Sequence, residues 1–219
     1  HKMTKSRLRI VSRHTDALDV AIPVARHIGQ IKPYVAVSSM DNIKERPEQV
    51  PHKIDWNEAT VPPSQKVVEA ITNFLSNPNH LNWYPELNSR RLVDALSEHH
   101  DLSDESFLVT NGSDDALNAL CTTYLDEGDR VLIVSPTYQH FLVFVQARGA
   151  QIEHFYAPKV FESDINGLRT QARQLRPRMI YLANPNNPTG VMYTPDELAT
   201  LAHACPDSLI IVDEAYSEF

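Results

Sequence analysis

The spacing of apolar residues gives most of the chain a regular rhythm. From about residue 107 onward, short apolar runs alternate with amphipathic stretches. Phe107–Val109, Val131–Val134, Gln151–Tyr156, Met179–Leu182 and Leu209–Val212 read as strands. Between them, Ser113–Leu125, Tyr138–Arg148 and Pro195–Ala204 carry apolar side chains at helical spacing; in the first, Ala116, Leu117, Leu120 and Tyr124 fall on one face. Gly149 is placed to stop the second helix, and Thr194 followed by Pro195 to open the third. Upstream, Ser64 stands as the N-cap of a helix in which Val67, Val68, Ile71, Phe74 and Leu75 give helical spacing. Asn88–His99 reads as another helix, with Leu92, Ala95 and Leu96 together on one face.

Wholly apolar strands separated by amphipathic helices imply an α/β fold: a mostly parallel sheet with helices on both faces. Residues 1–53, of mixed composition and punctuated by proline, read as an N-terminal arm, and residues 54–219 as a large domain. In sheets of this kind ligands bind outside the carboxyl ends of the strands. Four polar clusters follow strands there: Thr110–Asp114, Ser135–Tyr138, Ala183–Gly190 and Asp213–Tyr216. All four are predicted on one rim, which argues for a single site.

The chemistry of these clusters is open in places. Asn111-Gly112-Ser113-Asp114 joins a strand to a helix. Gly112 allows close backbone approach, and the first helical N–H groups point outward, as an anion seat for a phosphate requires. The same residues also suit a plain capped helix start. No G-x-G-x-x-G and no Walker loop follows any strand, which disfavours dinucleotides and nucleoside triphosphates. Tyr138, past a proline turn, is placed either to cover a planar ring or to pack on the core. Asp213 ends an apolar strand and needs a partner, either the next turn or a cationic ring nitrogen. Tyr216, three residues on, is within reach of the same ligand.

Composition narrows the partners. A net charge of −8 argues against nucleic acid and acidic membrane surfaces. No segment approaches the roughly 20 apolar residues that span a bilayer. Cys121 and Cys205 lack metal-ligand spacing and read as reduced thiols of a cytoplasmic protein. His99-His100, the only adjacent histidine pair, would point to different helix faces, so no metal site is expected. Asn111-Gly112-Ser113 matches a glycosylation sequon by chance. His1-Lys2 ahead of Met3 reads as an expression remnant.

Taken in order, "NGSDDAL", "SPTY", "NPNNPTG" and "DEAYSEF" resemble the fold-type I pyridoxal-phosphate aminotransferases, most closely the histidinol-phosphate aminotransferase branch. "IKPYV", "IDWNEATVPPSQKV" and "YPE" extend the resemblance upstream, so that it covers roughly residues 25–219. It implies pyridoxal 5'-phosphate as cofactor, amino-acid and 2-oxo-acid substrates, and a homodimer. It also assigns roles. Gly112, Ser113 and Asp114 would hold the cofactor phosphate, and Tyr138 would stack on the pyridine ring. Asn187 and Tyr216 would donate to the phenolic oxygen, and Asp213 would keep the ring nitrogen protonated. Tyr34 would contact substrate across the dimer. The resemblance departs at Val61, where family members carry a tyrosine that reaches the neighbouring subunit's cofactor phosphate; valine cannot donate a hydrogen bond. In the family the Schiff-base lysine lies beyond the segment matched here. The chain's lysines, Lys66 and Lys159 among them, stand outside that motif. The expectation is an incomplete large cofactor-binding domain of an aminotransferase, inactive by itself, cut before its sheet is finished and prone to associate through the open edge. A lyase or decarboxylase on the same fold, or a non-catalytic ligand-binding or dimerisation module, are the competing expectations.

Overall fold

The structure, a computed structural model, describes residues 25–31 and 56–218 of the 219-residue chain. The described residues fall into two compact units, 56–111 and 112–218, the latter joined by 25–31. Most of the predicted arm, including Tyr34, lies outside the described residues.

Residues 56–111 hold two helices, α1 (Gln65–Leu75) and α2 (Arg90–His100), and a one-turn 3-10 helix at Asp104–Ser106. Ser64 occupies the N-cap of α1, but its hydroxyl accepts no capping bond. Of the residues in α1 and α2 only Val93 is buried. The expected strand at Phe107–Val109 does not form. Phe107 is extended (φ −116°, ψ 133°), but the run belongs to no sheet and Leu108 is 80% exposed. Three apolar residues after a tight turn define a strand only when a neighbour supplies the ladder.

The second unit follows the predicted alternation. Its elements are α3 (Gly112–Tyr124), β1 (Arg130–Ser135), α4 (His140–Ala147), β2 (Gln151–Tyr156), α5 (Ile165–Leu175), β3 (Met179–Ala183), α6 (Pro195–Ala204) and β4 (Leu209–Asp213). All strand pairs are parallel and the order is β2-β1-β3-β4. Successive strand residues point to opposite faces, and the core divides accordingly. Val131, Ile133, Met179 and Tyr181 pack with Leu117 and Cys121 of α3 and Phe141 and Val145 of α4. Leu132, Val134, Ile180 and Leu182 pack with Leu168 of α5 and Leu201 of α6. Both faces of β1 and β3 are therefore dry, which is why those strands read as unbroken apolar runs. Phe141 stacks on Tyr181 with ring centroids 3.9 Å apart.

Local signals set the helix ends. Thr194 and Glu197 form a reciprocal capping box, and Pro195 takes the first helical position of α6. Gly149, just past α4, has φ +73° and returns its N–H to Gln146. Helix α5 is absent from the sequence reading. Its signals are Asp164, which caps Gly167, and the inward series Ile165, Leu168, Ala172 and Leu175. Gly167 in its first turn weakens the helical pattern there.

Candidate functional site

Strand order fixes where a site can form. From β1 the chain winds outward to β2, then crosses back to β3 and on to β4. The loops leaving β1 and β3 therefore part from each other, which opens the crevice where sheets of this kind take ligands. Those two loops are Pro136–Gln139 and Asn184–Thr194. They are stitched together at their base: Thr137 Oγ1 donates to Asn186 Oδ1 at 2.9 Å, and Asn186 Nδ2 donates to the Pro136 carbonyl at 2.9 Å. The Ser135–Pro136, Asn184–Pro185 and Asn187–Pro188 bonds are cis.

The three asparagines of the β3 loop divide their labour. Asn184 is buried and binds the backbone of Tyr193 through both ends of its amide, at 3.0 and 2.8 Å. Asn186 is buried and adds a bond to Thr189 Oγ1 at 2.7 Å. Asn187 is half-buried, and its amide makes no hydrogen bond among the described residues. The loop's rigidity comes from Asn184 and Asn186, which leaves the Asn187 amide available to a ligand.

Helix α3 begins at Gly112, whose φ of +78° is a left-handed conformation that favours glycine. Open space surrounds the position a Cβ would take there. Ser113 is exposed in the first turn. Asp114 is half-buried, and its carboxylate turns toward the β1 loop. It accepts from the Tyr138 hydroxyl at 3.1 and 3.2 Å and lies 2.9 Å from His140 Nδ1. What Asp114 offers an anion at the helix start is thus its backbone N–H. His140 is the residue the sequence analysis lacks; its ring lies 6.1 Å from that of Tyr138, a proximity that a spacing of two does not signal in a helix.

Asp213 ends β4 half-buried, with Asn184 N–H donating to its carbonyl at 2.8 Å. Its carboxylate accepts from Tyr181 Oη at 2.9 Å and from the Ala215 N–H at 3.2 Å. Burial, with Asp213 beside it, pushes the Tyr181 phenol well above its usual range, so the hydroxyl stays protonated and donates. Tyr181 is the second contributor absent from the sequence reading, where it is one apolar strand residue among four. Tyr216 lies half-buried in the turn after β4, three residues beyond Asp213.

The structure therefore brings Asp114, Tyr138, Asp213 and the Asn187 loop to the carboxyl-end rim of one sheet, with Gly112 and Ser113 at the helix start beside it. Val61, in the other unit, is 71% exposed. Among the described residues no group of three or more metal-ligating side chains is placed to hold a metal ion, and no helix is long and apolar enough to cross a membrane.

Residues 52–219 match the family described as aminotransferase class I and II. A dihydroxyacetone phosphate transaminase of Campylobacter jejuni is 36% identical over 201 residues, covering 89% of this chain and 52% of its own. A histidinol-phosphate aminotransferase of Methanococcoides burtonii is 33% identical, covering 88% of this chain and 53% of its own. Among solved structures, histidinol-phosphate aminotransferase from Sinorhizobium meliloti, in complex with pyridoxal-5'-phosphate, superposes with a TM-score of 0.79 at 23% identity, covering 90% of this chain and 52% of that one. The chain spans about half the length of the curated relatives it matches.

Proposed function

The chain belongs to the aminotransferase class I and II family, and from that premise we propose that the complete protein transfers an amino group between an amino acid and a 2-oxo acid with pyridoxal 5'-phosphate. The observation that carries this reading is the pairing of an anion seat at the start of α3 with a fixed carboxylate, Asp213, across a crevice walled by Tyr138 and the Asn187 loop. That donor set fits the cofactor. Ser113 and the first N–H groups of α3 would receive its phosphate. The Tyr138 ring, held at its hydroxyl by Asp114, would lie against the pyridine. Asn187, and with it Tyr216, would donate to the phenolic oxygen.

Asp213 would hold the proton on the ring nitrogen. Its own position is fixed by Tyr181 Oη and the Ala215 N–H, so the carboxylate meets the ring without rearranging. When bound, the cofactor supplies an acceptor for the electron pair left at the substrate α-carbon when its proton departs. The chain spans about half the length of the relatives it matches, so amino transfer is proposed for the complete protein. Both relatives named above carry a phosphate in their substrate names, and a phosphorylated amino compound of the histidinol-phosphate kind is the favoured donor. Residues at the arm, Tyr34 included, would meet it across a homodimer.

The test uses the full-length protein. Adding pyridoxal phosphate gives a perturbed cofactor absorbance, and a panel of 2-oxo acids shows amino transfer. Asp213→Asn weakens cofactor binding and lowers kcat by about 10²-fold or more. A full-length protein that leaves the cofactor spectrum unchanged would overturn the reading. Loss of carbon dioxide or of a substituent without amino transfer would assign a lyase or decarboxylase instead.

A further inference from the structure

A cavity of about 810 Å³ opens at the amino ends of the parallel strands, at the opposite ends from the loops described above. Its wall is basic. Arg130 is the first residue of β1, Arg173 lies in the last turn of α5, Arg176 caps that helix, and Arg178 immediately precedes β3. Two carboxylates, Asp129 and Asp207, share the wall. In a chain of net charge −8 this gathers positive charge against the overall trend.

The guanidinium groups are largely uncommitted. The side chains of Arg130, Arg173 and Arg176 form no hydrogen bond or ion pair among the described residues. Arg178 Nε donates once, to the Tyr124 carbonyl at 3.2 Å. The Asp129 carboxylate is engaged by the Asp126 N–H at 2.9 Å. The α5 macrodipole explains basic residues at that helix's end, so Arg173 and Arg176 alone would indicate nothing further. It does not explain Arg130 and Arg178, which come from strand starts. Arg176 also holds φ +48°, where glycine would be unstrained, so a cation is kept there against a local backbone cost.

The frame beneath these side chains is fixed. Arg178 N–H donates to the Arg130 carbonyl at 2.8 Å, and Leu209 N–H to the Arg178 carbonyl at 3.0 Å. Ser208 Oγ donates to the Pro177 carbonyl at 2.6 Å. Cations arrayed on a rigid base lose little on binding an anion. The planar guanidinium fork matches phosphate oxygens two at a time. Four cations against two carboxylates leave room for at least a dianion.

We propose that this cavity is a second anion site, one that binds a small phosphate-class polyanion between Arg130, Arg173, Arg176 and Arg178. The inference does not depend on the reading of the carboxyl-end rim. Inorganic diphosphate, titrated calorimetrically into the full-length protein, is expected to saturate one such site. The double variant Arg173→Gln/Arg178→Gln weakens it about tenfold. Arg176→Gly also weakens it, and because glycine suits that backbone, folding is preserved. Ser113→Asp, which places a negative charge at the α3 seat, leaves the affinity unchanged. Added sodium chloride lowers it. Absence of saturable binding, full affinity in Arg176→Gly and the double variant, or a loss in Ser113→Asp equal to theirs would each overturn the proposal.

Discussion

Helix α4 and helix α1 carry the same kind of apolar stripe and end in different surroundings. In α4, Phe141 and Val145 are fully buried against β1, β3 and α3. In α1, Val67, Val68, Ile71, Phe74 and Leu75 are each between 44% and 56% exposed. An amphipathic pattern promises a face; it does not supply the partner. The parallel sheet of residues 112–218 offers two faces and covers both, whereas residues 56–111 hold helices with almost no dry core of their own. Stability should accordingly concentrate in the sheet unit.

The sharpest way to break that contrast is to truncate one aromatic on each side of it. Phe141→Ala should destabilise the sheet unit by about 3–5 kcal/mol, since it removes a buried ring stacked on Tyr181. Phe74→Ala, half exposed in α1, should cost about 0.5 kcal/mol or less. The chain's two tryptophans, Trp56 and Trp83, both lie in residues 56–111. Tryptophan emission therefore follows that unit, while the far-ultraviolet dichroism midpoint follows the sheet. A Phe74→Ala loss equal to that of Phe141→Ala would show that α1 is packed.

Alkaline unfolding should separate the units next. Burial pushes the Cys121 thiol up to about 12, partly offset by Arg148. A group raised in the folded state contributes stability that is intact below the ordinary thiol range and is lost as pH rises from there through about 12. Urea midpoints by dichroism should fall across that window, and Cys121→Ala should flatten the fall. Below it, the buried thiol should resist alkylation in the native protein.

Smaller still is Tyr181→Phe, which keeps the ring stack and removes the bond to Asp213. The expected loss is about 1 kcal/mol of stability, together with weaker cofactor binding in the full-length protein. Unchanged cofactor affinity would show that Asp213 needs no support from β3. The smallest effect belongs to the other unit: Asp94→Ala, which breaks the exposed Arg90–Asp94 pair, should leave the denaturation midpoint unchanged.

Much of this molecule follows from local rules that act within a few residues. The runs Val131–Val134, Met179–Leu182 and Leu209–Val212 specify parallel strands by their unbroken apolar character; the first two are buried and the third, at the end of the strand order, is half-buried apart from Ile211. Thr194, Pro195 and Gly149 mark helix ends by their own stereochemistry. The rim assignment follows too, since a parallel sheet places every strand's carboxyl end on one side. Phe107–Val109 escaped the same logic because strand formation needs a neighbour that only the folded chain provides or withholds. Helix α5 escaped it because Gly167 masks a stripe that becomes evident once Leu168 and Ala172 are packed on the sheet.

What tertiary structure alone decided is the division of labour among like residues. In Asn184, Asn186 and Asn187 the sequence holds three equivalent amides. Two of them became struts because their neighbours across the loops, Tyr193, Thr137 and Pro136, stood within hydrogen-bond reach, and the third remained available. Likewise the carboxylate of Asp114, a residue the family resemblance assigns to the cofactor phosphate, is engaged by Tyr138 and His140, residues 24 and 26 positions away. Side-chain chemistry is written into the chain, but its partner is a matter of distance in space, and hydrogen bonds fall off within an ångström.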